Sequence, residues 1–392
     1  MDYISTTERK ILKKFYNIDI NLTESCNLSC TYCIIDFNKL HYKPIDPVIL
    51  EKILSKVDYL LESEEFLKVY GGVRLSFWGG EPTTNFKDVK LISERYKDDN
   101  RVKYFMYSNG FDYKHVFDYL EKFKNEKAAD NDYKFLTQIS YDGLASHDID
   151  RLDLKGKGSA LRVKENIFEL RRRKIPFSVH STIAAKNFNK IADNYFEFKR
   201  ISNTLNFDMS YSPTIDYMSK YNFTKKELEE LTRILKEQFL RIKDSEIEYY
   251  KQNGYFSFGW FNPNRAICTA GDSYCGIDID GKVYACHGVF NESYKDKAKL
   301  NDIDFSNMKF TTTLLDTSKK YNKILKEAPE ECKECFTHYC LKCNSTKTSI
   351  SKKETLEERW VDYNNQPGLC HIFKFIGKFR IALMKCIGSS KY

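Results

Sequence analysis

The sequence predicts an α/β protein in which a partial (βα)6 TIM-like barrel is followed by a small cysteine-rich domain. Six short β-rich runs alternate with longer amphipathic stretches in the first part of the chain. This alternation is typical of a parallel sheet with crossover helices. The twelve cysteines fall into two distant groups, with none between Cys33 and Cys268. We therefore expect two domains, over residues 1–250 and 251–392.

The barrel prediction depends on the order of apolar patterns along the chain. The predicted strands are 15–22, 73–78, 102–108, 134–141, 176–183 and 204–211. Apolar residues recur at helical spacing over 46–66, 112–123, 161–173 and 189–201. A charged helix is predicted over 224–250, where it ends the domain. Six units are too few for a complete eight-stranded barrel, and ligands are expected at the carboxyl ends of the strands.

Composition excludes several classes of protein. With 42% apolar and 15% aromatic residues in 392, the chain is not disordered. The net charge of +8 is spread along the sequence and identifies no partner. There is no apolar run of membrane-spanning length and no start like a signal peptide. We predict a cytoplasmic protein that binds neither membranes nor nucleic acid.

The first cysteine group, Cys26, Cys30 and Cys33, directly follows the first predicted strand. Three thiolates do not complete a structural zinc site, which needs four ligands. On a four-iron cubane they leave one iron open to a reactant, and their x3-x2 spacing differs from the x2-x2 run of bacterial ferredoxins. Buried structural cysteines, or a zinc site with a remote fourth ligand, are the alternatives.

A Cys-x3-Cys-x2-Cys motif after the first strand of a βα barrel resembles the radical S-adenosylmethionine (SAM) superfamily. The resemblance implies a [4Fe–4S] cluster on the three cysteines, whose open iron binds the amino and carboxylate groups of SAM. It implies that SAM is cleaved to a 5′-deoxyadenosyl radical, which abstracts hydrogen from a substrate. An electron donor such as flavodoxin or ferredoxin is then an expected partner.

Further motifs agree with this resemblance. The segment Gly79-Gly80-Glu81-Pro82 resembles the motif that holds the methionine amino group, and Tyr32 matches an aromatic position near the adenine. By the same match, Ser140 faces the ribose, and Arg151 faces the SAM carboxylate, to which a guanidinium can donate two hydrogen bonds. The implied cofactor-binding residues are Tyr32, Gly79, Gly80, Glu81, Ser108, Asn109, Ser140 and Arg151. Taken singly, these segments also suit ordinary turns or a surface ion pair.

The second cysteine group resembles a SPASM domain. Cys268-x12-Gly281-x4-Cys286 is similar to the opening of that domain, and residues 332–343 to its second part, with x2-x4-x2 spacing in place of x2-x5-x3. The resemblance implies two auxiliary [4Fe–4S] clusters, hence three in all. Their implied ligands are Cys268, Cys275, Cys286 and Cys343 on one, and Cys332, Cys335, Cys340 and Cys370 on the other. Cys386 is left as a core thiol near a helix end, and a zinc site over 332–343 is the alternative.

The resemblance to SPASM proteins implies a peptide maturase. We predict that the enzyme crosslinks residues within a ribosomally synthesised precursor peptide, through a carbon–carbon cyclophane or a thioether. Anaerobic sulfatase maturases carry Asp after the third cysteine of the first auxiliary site, where this chain has His287. His287 is thus the candidate catalytic base, although it also suits an ordinary hydrogen-bonded position.

Other functions remain open at this point. A formylglycine-generating anaerobic sulfatase maturase and a radical SAM enzyme acting on a small molecule are the alternatives, and a non-enzymatic iron–sulfur protein is a third. The segment before the first predicted strand is too short to form the leader-binding domain that many peptide maturases carry. We therefore expect the leader to be held by a separate protein or by the catalytic domains.

Overall fold

The computed structural model describes residues 14–33, 43–206, 210–216, 223–262, 273–284 and 367–388. The strands are β1 (Phe15–Thr23), β2 (Leu28–Cys30), β3 (Gly72–Gly79), β4 (Val102–Ser108), β5 (Phe135–Ser140), β6 (Arg151–Asp153), β7 (Phe177–His180), β8 (Thr182–Ile183), β9 (Thr214–Ile215), β10 (Tyr274–Ile277) and β11 (Val283–Tyr284). The helices are α1 (Pro47–Glu62), α2 (Glu64–Val69), α3 (Phe86–Arg95), α4 (Phe117–Leu120), α5 (His147–Asp150), α6 (Ala160–Arg172), α7 (Ile191–Leu205), α8 (Lys225–Asn253) and α9 (Pro367–Cys386). None of these helices is both long and apolar enough to span a membrane.

Among the described residues, the main sheet has seven strands in the order β11-β10-β1-β3-β4-β5-β7. From β10 to β7 every neighbouring pair is parallel, and only β11 runs antiparallel to its neighbour. Two small sheets accompany it, with β2 antiparallel to β6 and β8 parallel to β9. The predicted α/β partial barrel is therefore confirmed.

The two faces of the sheet differ in polarity. On β1, Ile18, Ile20 and Leu22 belong to the hydrophobic core, whereas Asp19 and Asn21 alternate with them on the other face. Helices cover the apolar face, and each buried Leu or Ile side chain contributes about 1.5–3 kcal/mol. The polar face is left to line the inside of the partial barrel.

Helix α1 shows how the sequence fixes one of the covering helices. Asp46 lies at its N-cap and accepts hydrogen bonds from the backbone nitrogens of Val48 (2.7 Å) and Ile49 (3.3 Å). Pro47 follows at the first helical position, where its missing N–H costs nothing. The buried side of the helix carries Leu50, Ile53, Leu54, Val57, Leu60 and Leu61.

The sixth strand differs from the prediction over 204–211. Helix α7 continues to Leu205, because Tyr195, Phe198 and Ile201 maintain the helical spacing of buried residues. Asn206 then adopts a left-handed conformation with φ of 45°. The described strand in this region is β9, which begins at 214 and pairs with β8. Residues 207–209 lie outside the described part of the chain.

Residues beyond the barrel return to its sheet. Strand β10 lies parallel to β1, with Cys275 opposite Ile18. The hydroxyl of Tyr274 donates a hydrogen bond to the buried carboxylate of Asp19. Consequently, the segment around Cys275 is positioned by the barrel itself. The domain boundary at residue 250 stays a prediction.

The C-terminal helix α9 packs against α8. The ring of Phe239 on α8 lies 5.9 Å from that of Phe375 and 5.1 Å from that of Phe379. Cys386 is the last residue of α9, as predicted, but it is exposed and not part of the core. The buried positions of α9 include Leu383 and Met384, and two residues further the helix has turned through about 200° to the other side.

Candidate functional site

The sequence motifs meet at the carboxyl edge of the main sheet. The cysteine loop leaves β1, Gly80 and Glu81 follow β3, Asn109 follows β4, and Ser140 ends β5. Since β1, β3, β4 and β5 are parallel neighbours, their carboxyl ends lie side by side. The strand order alone thus brings these motifs together.

The three cysteines lie on one partly exposed segment. The Cys26 thiol accepts a hydrogen bond from the backbone nitrogen of Leu28 (3.5 Å) and lies 3.7 Å from Nδ2 of Asn109. Cys30 ends β2, and the backbone nitrogen of Cys33 donates to its carbonyl (3.1 Å). Burial raises the pKa of Cys26 and of Cys30. Both are therefore neutral as free thiols, and metal binding would release their protons.

The three thiols of this segment suit a four-iron cluster. In the described ranges, no three His, Cys, Asp or Glu side chains are close enough to hold one metal ion. A zinc ion needs its ligands to converge on one centre, whereas a four-iron cubane accepts each thiolate on a different iron. All three cysteines are only partly buried, so a cluster has access to them.

Glu81 joins the motifs that follow β1, β3 and β4. Its carboxylate accepts hydrogen bonds from the backbone nitrogen of Asn109 (2.6 Å), the Ser108 hydroxyl (2.8 Å) and the backbone nitrogen of Thr83 (3.1 Å). Its own backbone nitrogen donates to the Ser25 carbonyl (2.7 Å). Burial raises the pKa of Glu81, and these hydrogen bonds oppose the rise. Its carboxylate therefore orders the neighbouring loops.

The paired glycines allow β3 to lie against the cysteine loop. A Cβ atom on Gly80 would stand 2.2 Å from the carbonyl oxygen of Ser25, directly before Cys26. Gly79 has a φ of 142°, and a Cβ there would stand 2.2 Å from the Thr23 carbonyl oxygen. Only glycine permits this approach.

Arg151 reaches the cysteine loop through a short antiparallel pair of strands. Its backbone is directly opposite Cys30 in the β2–β6 pairing. Its guanidinium donates to Asp142 through Nε (2.8 Å) and Nη2 (3.3 Å) and lies 5.2 Å from the centre of the Tyr32 ring. The Tyr32 hydroxyl donates to the same carboxylate. The predicted residues Tyr32 and Arg151 are thus joined by a residue that was not predicted, Asp142.

Ser140 lies at the same edge, beside a histidine. It ends β5 opposite His180, the last residue of β7. The His180 Nε2 atom lies 2.9 Å from the hydroxyl of Thr214 on β9. No motif in the sequence marks His180. Its place follows only from the register of β5 and β7.

Comparison with known proteins agrees with this geometry. The model of the radical SAM superfamily matches residues 20–191, the part that contains the three cysteines and Arg151. Residues 20–191 therefore match a radical SAM domain. A curated relative of this chain is the cysteine-type anaerobic sulfatase-maturating enzyme of Clostridium novyi (strain NT). It is 26% identical over 289 residues, which are 70% of this chain and 73% of the relative.

Solved structures share the fold of this chain. The structure of anSMEcpe with bound AdoMet and Cp18Cys peptide has a TM-score of 0.63 at 18% identity, covering 95% of this chain and 98% of that one. The structure of Streptococcus suis SuiB bound to precursor peptide SuiA has a TM-score of 0.51 at 14% identity, covering 88% of this chain and 75% of that one.

The cysteine loop of the radical SAM domain is held by a second buried carboxylate. Asp150, just before β6, accepts hydrogen bonds from the Thr31 hydroxyl and from Nδ2 of Asn187 (2.5 Å), and it pairs with Lys186 (2.7 Å). Asn27 accepts a hydrogen bond from Nδ2 of Asn109 (2.7 Å). These residues were not predicted, because their partners are distant in sequence and no spacing marks them.

The predicted auxiliary ligands are described only in part. Cys275 is 1% exposed on β10, where burial raises its pKa to about 12. Cys370 is partly buried on α9. The other six cysteines and His287 lie outside the described residues, so all these roles stay predictions. The outside residues are Cys268, Cys286, Cys332, Cys335, Cys340, Cys343 and His287.

His147 should make the stability of the radical SAM domain depend on pH. Its Nδ1 accepts from the backbone nitrogen of Asp142 (3.2 Å), its Nε2 lies 2.9 Å from the Ser159 hydroxyl, and burial lowers its pKa from 6.5 to about 4. Since folding favours neutral imidazole, this stabilisation is present above pH 6.5 and is lost as the pH falls towards 4. When the pH is lowered from 6.5 to 4, we expect the free energy of unfolding of wild type to fall by about 3 kcal/mol more than that of His147→Gln, measured by urea titration. Equal losses in both proteins would contradict this assignment.

Proposed function

We propose that this chain is a radical SAM maturase that crosslinks two residues of a ribosomally synthesised precursor peptide. The observation that carries the proposal is the convergence of the cysteine loop, Gly80, Asn109 and Arg151 at one edge of the sheet. A substrate held there would lie beside the SAM site. Peptide substrates are supported by the fold shared with anSMEcpe and SuiB, whose structures contain bound peptides.

Each residue of the site has a proposed task. Cys26, Cys30 and Cys33 would hold the [4Fe–4S] cluster, and Arg151 would pair with the SAM carboxylate. When bound, cluster and SAM supply a 5′-deoxyadenosyl radical that takes a hydrogen atom from the substrate. Crosslinking removes a second hydrogen as a proton and an electron. We propose His287 as the acceptor of this proton, and an auxiliary cluster would accept the electron.

Sulfatase maturation is the second candidate, because the curated relative is a cysteine-type anaerobic sulfatase-maturating enzyme. The two functions differ at the position after Cys286. Here the chain carries His287 in place of the Asp that the resemblance leads one to expect. For that reason we place crosslinking first.

The experiment compares two peptide sets under anaerobic conditions, with reconstituted enzyme, SAM and a strong reductant. The first set is the small peptides encoded beside the gene, and the second is synthetic peptides with a single cysteine. Mass spectrometry showing loss of two hydrogens from a peptide of the first set supports crosslinking. Conversion of the cysteine side chain to an aldehyde, with loss of two hydrogens and replacement of sulfur by oxygen, in the second set supports sulfatase-type chemistry instead. SAM cleavage with every peptide unchanged would overturn both, and Cys30→Ala is the matched inactive control.

The auxiliary clusters are part of the same proposal. Eight cysteines beyond the first three would hold two of them, with flavodoxin or ferredoxin as electron donor and a separate protein for the leader peptide. Anaerobically reconstituted protein should then contain about twelve irons and little zinc per chain. A content of about four irons and one zinc per chain would show that the auxiliary clusters are absent, and it would favour a zinc site over 332–343.

A further inference from the structure

Asp142 is a buried carboxylate at the edge of the site with hydrogen bonds to several elements. It is 1% exposed and accepts four hydrogen bonds, from the Tyr32 hydroxyl, from Nε and Nη2 of Arg151, and from the backbone nitrogen of Thr182 (2.7 Å). These donors come from the cysteine loop, β6 and β8. One carboxylate thus joins three separate segments of the chain.

Asp142 occupies only one edge of the Arg151 guanidinium. The edge made by Nε and Nη2 faces the carboxylate. In a planar guanidinium, the other edge, made by Nη1 and the second Nη2 proton, points away from that carboxylate. Arg151 can therefore serve two carboxylates at once, one of the protein and one of a ligand.

The position of this second edge is set by the strand pairing. Arg151 lies directly opposite Cys30 in the antiparallel β2–β6 pair, so their side chains lie on the same face of that pair. A ligand attached to a cluster on Cys30 would therefore lie next to the guanidinium. Because Arg151 is only 7% exposed and stays charged, its burial requires a partner carboxylate before the ligand arrives, and Asp142 is that partner.

We propose that Asp142 is a positioning residue for SAM, which holds the Arg151 guanidinium so that its second edge receives the ligand carboxylate. The proposal rests on the placement of Arg151 at that carboxylate. It concerns SAM binding alone. If the peptide reaction fails, the proposal for Asp142 still stands, because SAM affinity is measured separately from peptide modification.

A double-mutant cycle tests the proposal on cluster-loaded protein, with SAM affinity measured by calorimetry and iron content checked in each sample. Asp142→Asn should weaken SAM binding by about 10- to 100-fold. Arg151→Gln should weaken it at least as much, and the double variant should bind no more weakly than Arg151→Gln. Asp148→Asn is the matched control, because Asp148 lies in the same segment but accepts from Ser159 and Ala160 at the start of α6. We expect it to bind SAM like wild type.

A ligand that lacks the carboxylate gives the second readout. Asp142→Asn should bind decarboxylated SAM as well as wild type does, which a general loss of structure would not allow. If Asp142→Asn fails to fold, Asp142→Glu keeps the charge, displaces the guanidinium by one methylene and should show the same selective loss. Unchanged SAM affinity in Asp142→Asn, additive losses in the double variant, or equal weakening of both ligands would overturn the proposal.

Discussion

Cys30→Ala is expected to lose about four irons per chain and all reductive cleavage of SAM, because two remaining thiolates do not hold a cubane that needs three. Cys30 is partly buried opposite Arg151, and its replacement by alanine leaves the β2–β6 backbone pairing possible. Iron assay of the reconstituted protein and chromatography of 5′-deoxyadenosine measure the two effects.

Cys386→Ala is the matched control for this change. Cys386 is exposed at the end of α9, outside every proposed ligand set. It should keep the iron content and the cleavage rate of wild type. If Cys30→Ala protein kept its full iron content and normal SAM cleavage, Cys30 would not be a cluster ligand.

Gly80→Ala is expected to lower the rate of SAM cleavage by about 10²-fold. The new Cβ would stand 2.2 Å from the Ser25 carbonyl oxygen and 2.7 Å from that of Glu24, so the backbone before Cys26 must move. Because Gly80 also donates to the Thr23 carbonyl at 2.7 Å, the end of β3 cannot retreat without losing that hydrogen bond. The rate of 5′-deoxyadenosine formation measures the effect.

Gly254→Ala provides the comparison for Gly80→Ala. Gly254 follows α8 with a φ of 78°, and a Cβ there meets nothing within 4 Å. This variant should cost about 1–2 kcal/mol of stability through its left-handed backbone and leave SAM cleavage unchanged. Equal rates for Gly80→Ala and Gly254→Ala would show that the close approach of β3 is not required.

The sequence allowed the placement of the candidate residues to be predicted where they follow the ends of strands. Cys26, Gly80 and Asn109 each come directly after a run with clear β character, and parallel strands bring their carboxyl ends to one edge. The local pattern was therefore sufficient. Strand order, not side-chain detail, decides that these residues meet.

The places of Asp142 and His180 could not be predicted in this way, because they depend on contacts that no local pattern encodes. Tyr32 follows β2 and Asp142 follows β5, so their hydrogen bond joins residues that are 110 positions apart. His180 lies beside Ser140 through the register of β5 and β7. The register of paired strands is fixed by packing across the whole sheet.

The sixth strand and β10 show two further limits of periodicity. The β-rich composition over 204–211 predicts a strand, but the helical spacing of buried residues extends α7 to Leu205. Strand β10 has only four residues, too few for a periodic pattern, and its place beside β1 comes from a long-range pairing. Short strands of this kind are specified by their neighbours.

Reductive cleavage of SAM by the reconstituted wild-type chain tests the central claim most directly. The protein would be incubated anaerobically with SAM and a strong reductant, and 5′-deoxyadenosine and methionine would be quantified by chromatography and mass spectrometry. We predict both products in equal amounts, formed only when iron is bound. Intact SAM in the presence of a fully loaded, reduced cluster on Cys26, Cys30 and Cys33 would contradict the assignment of this site.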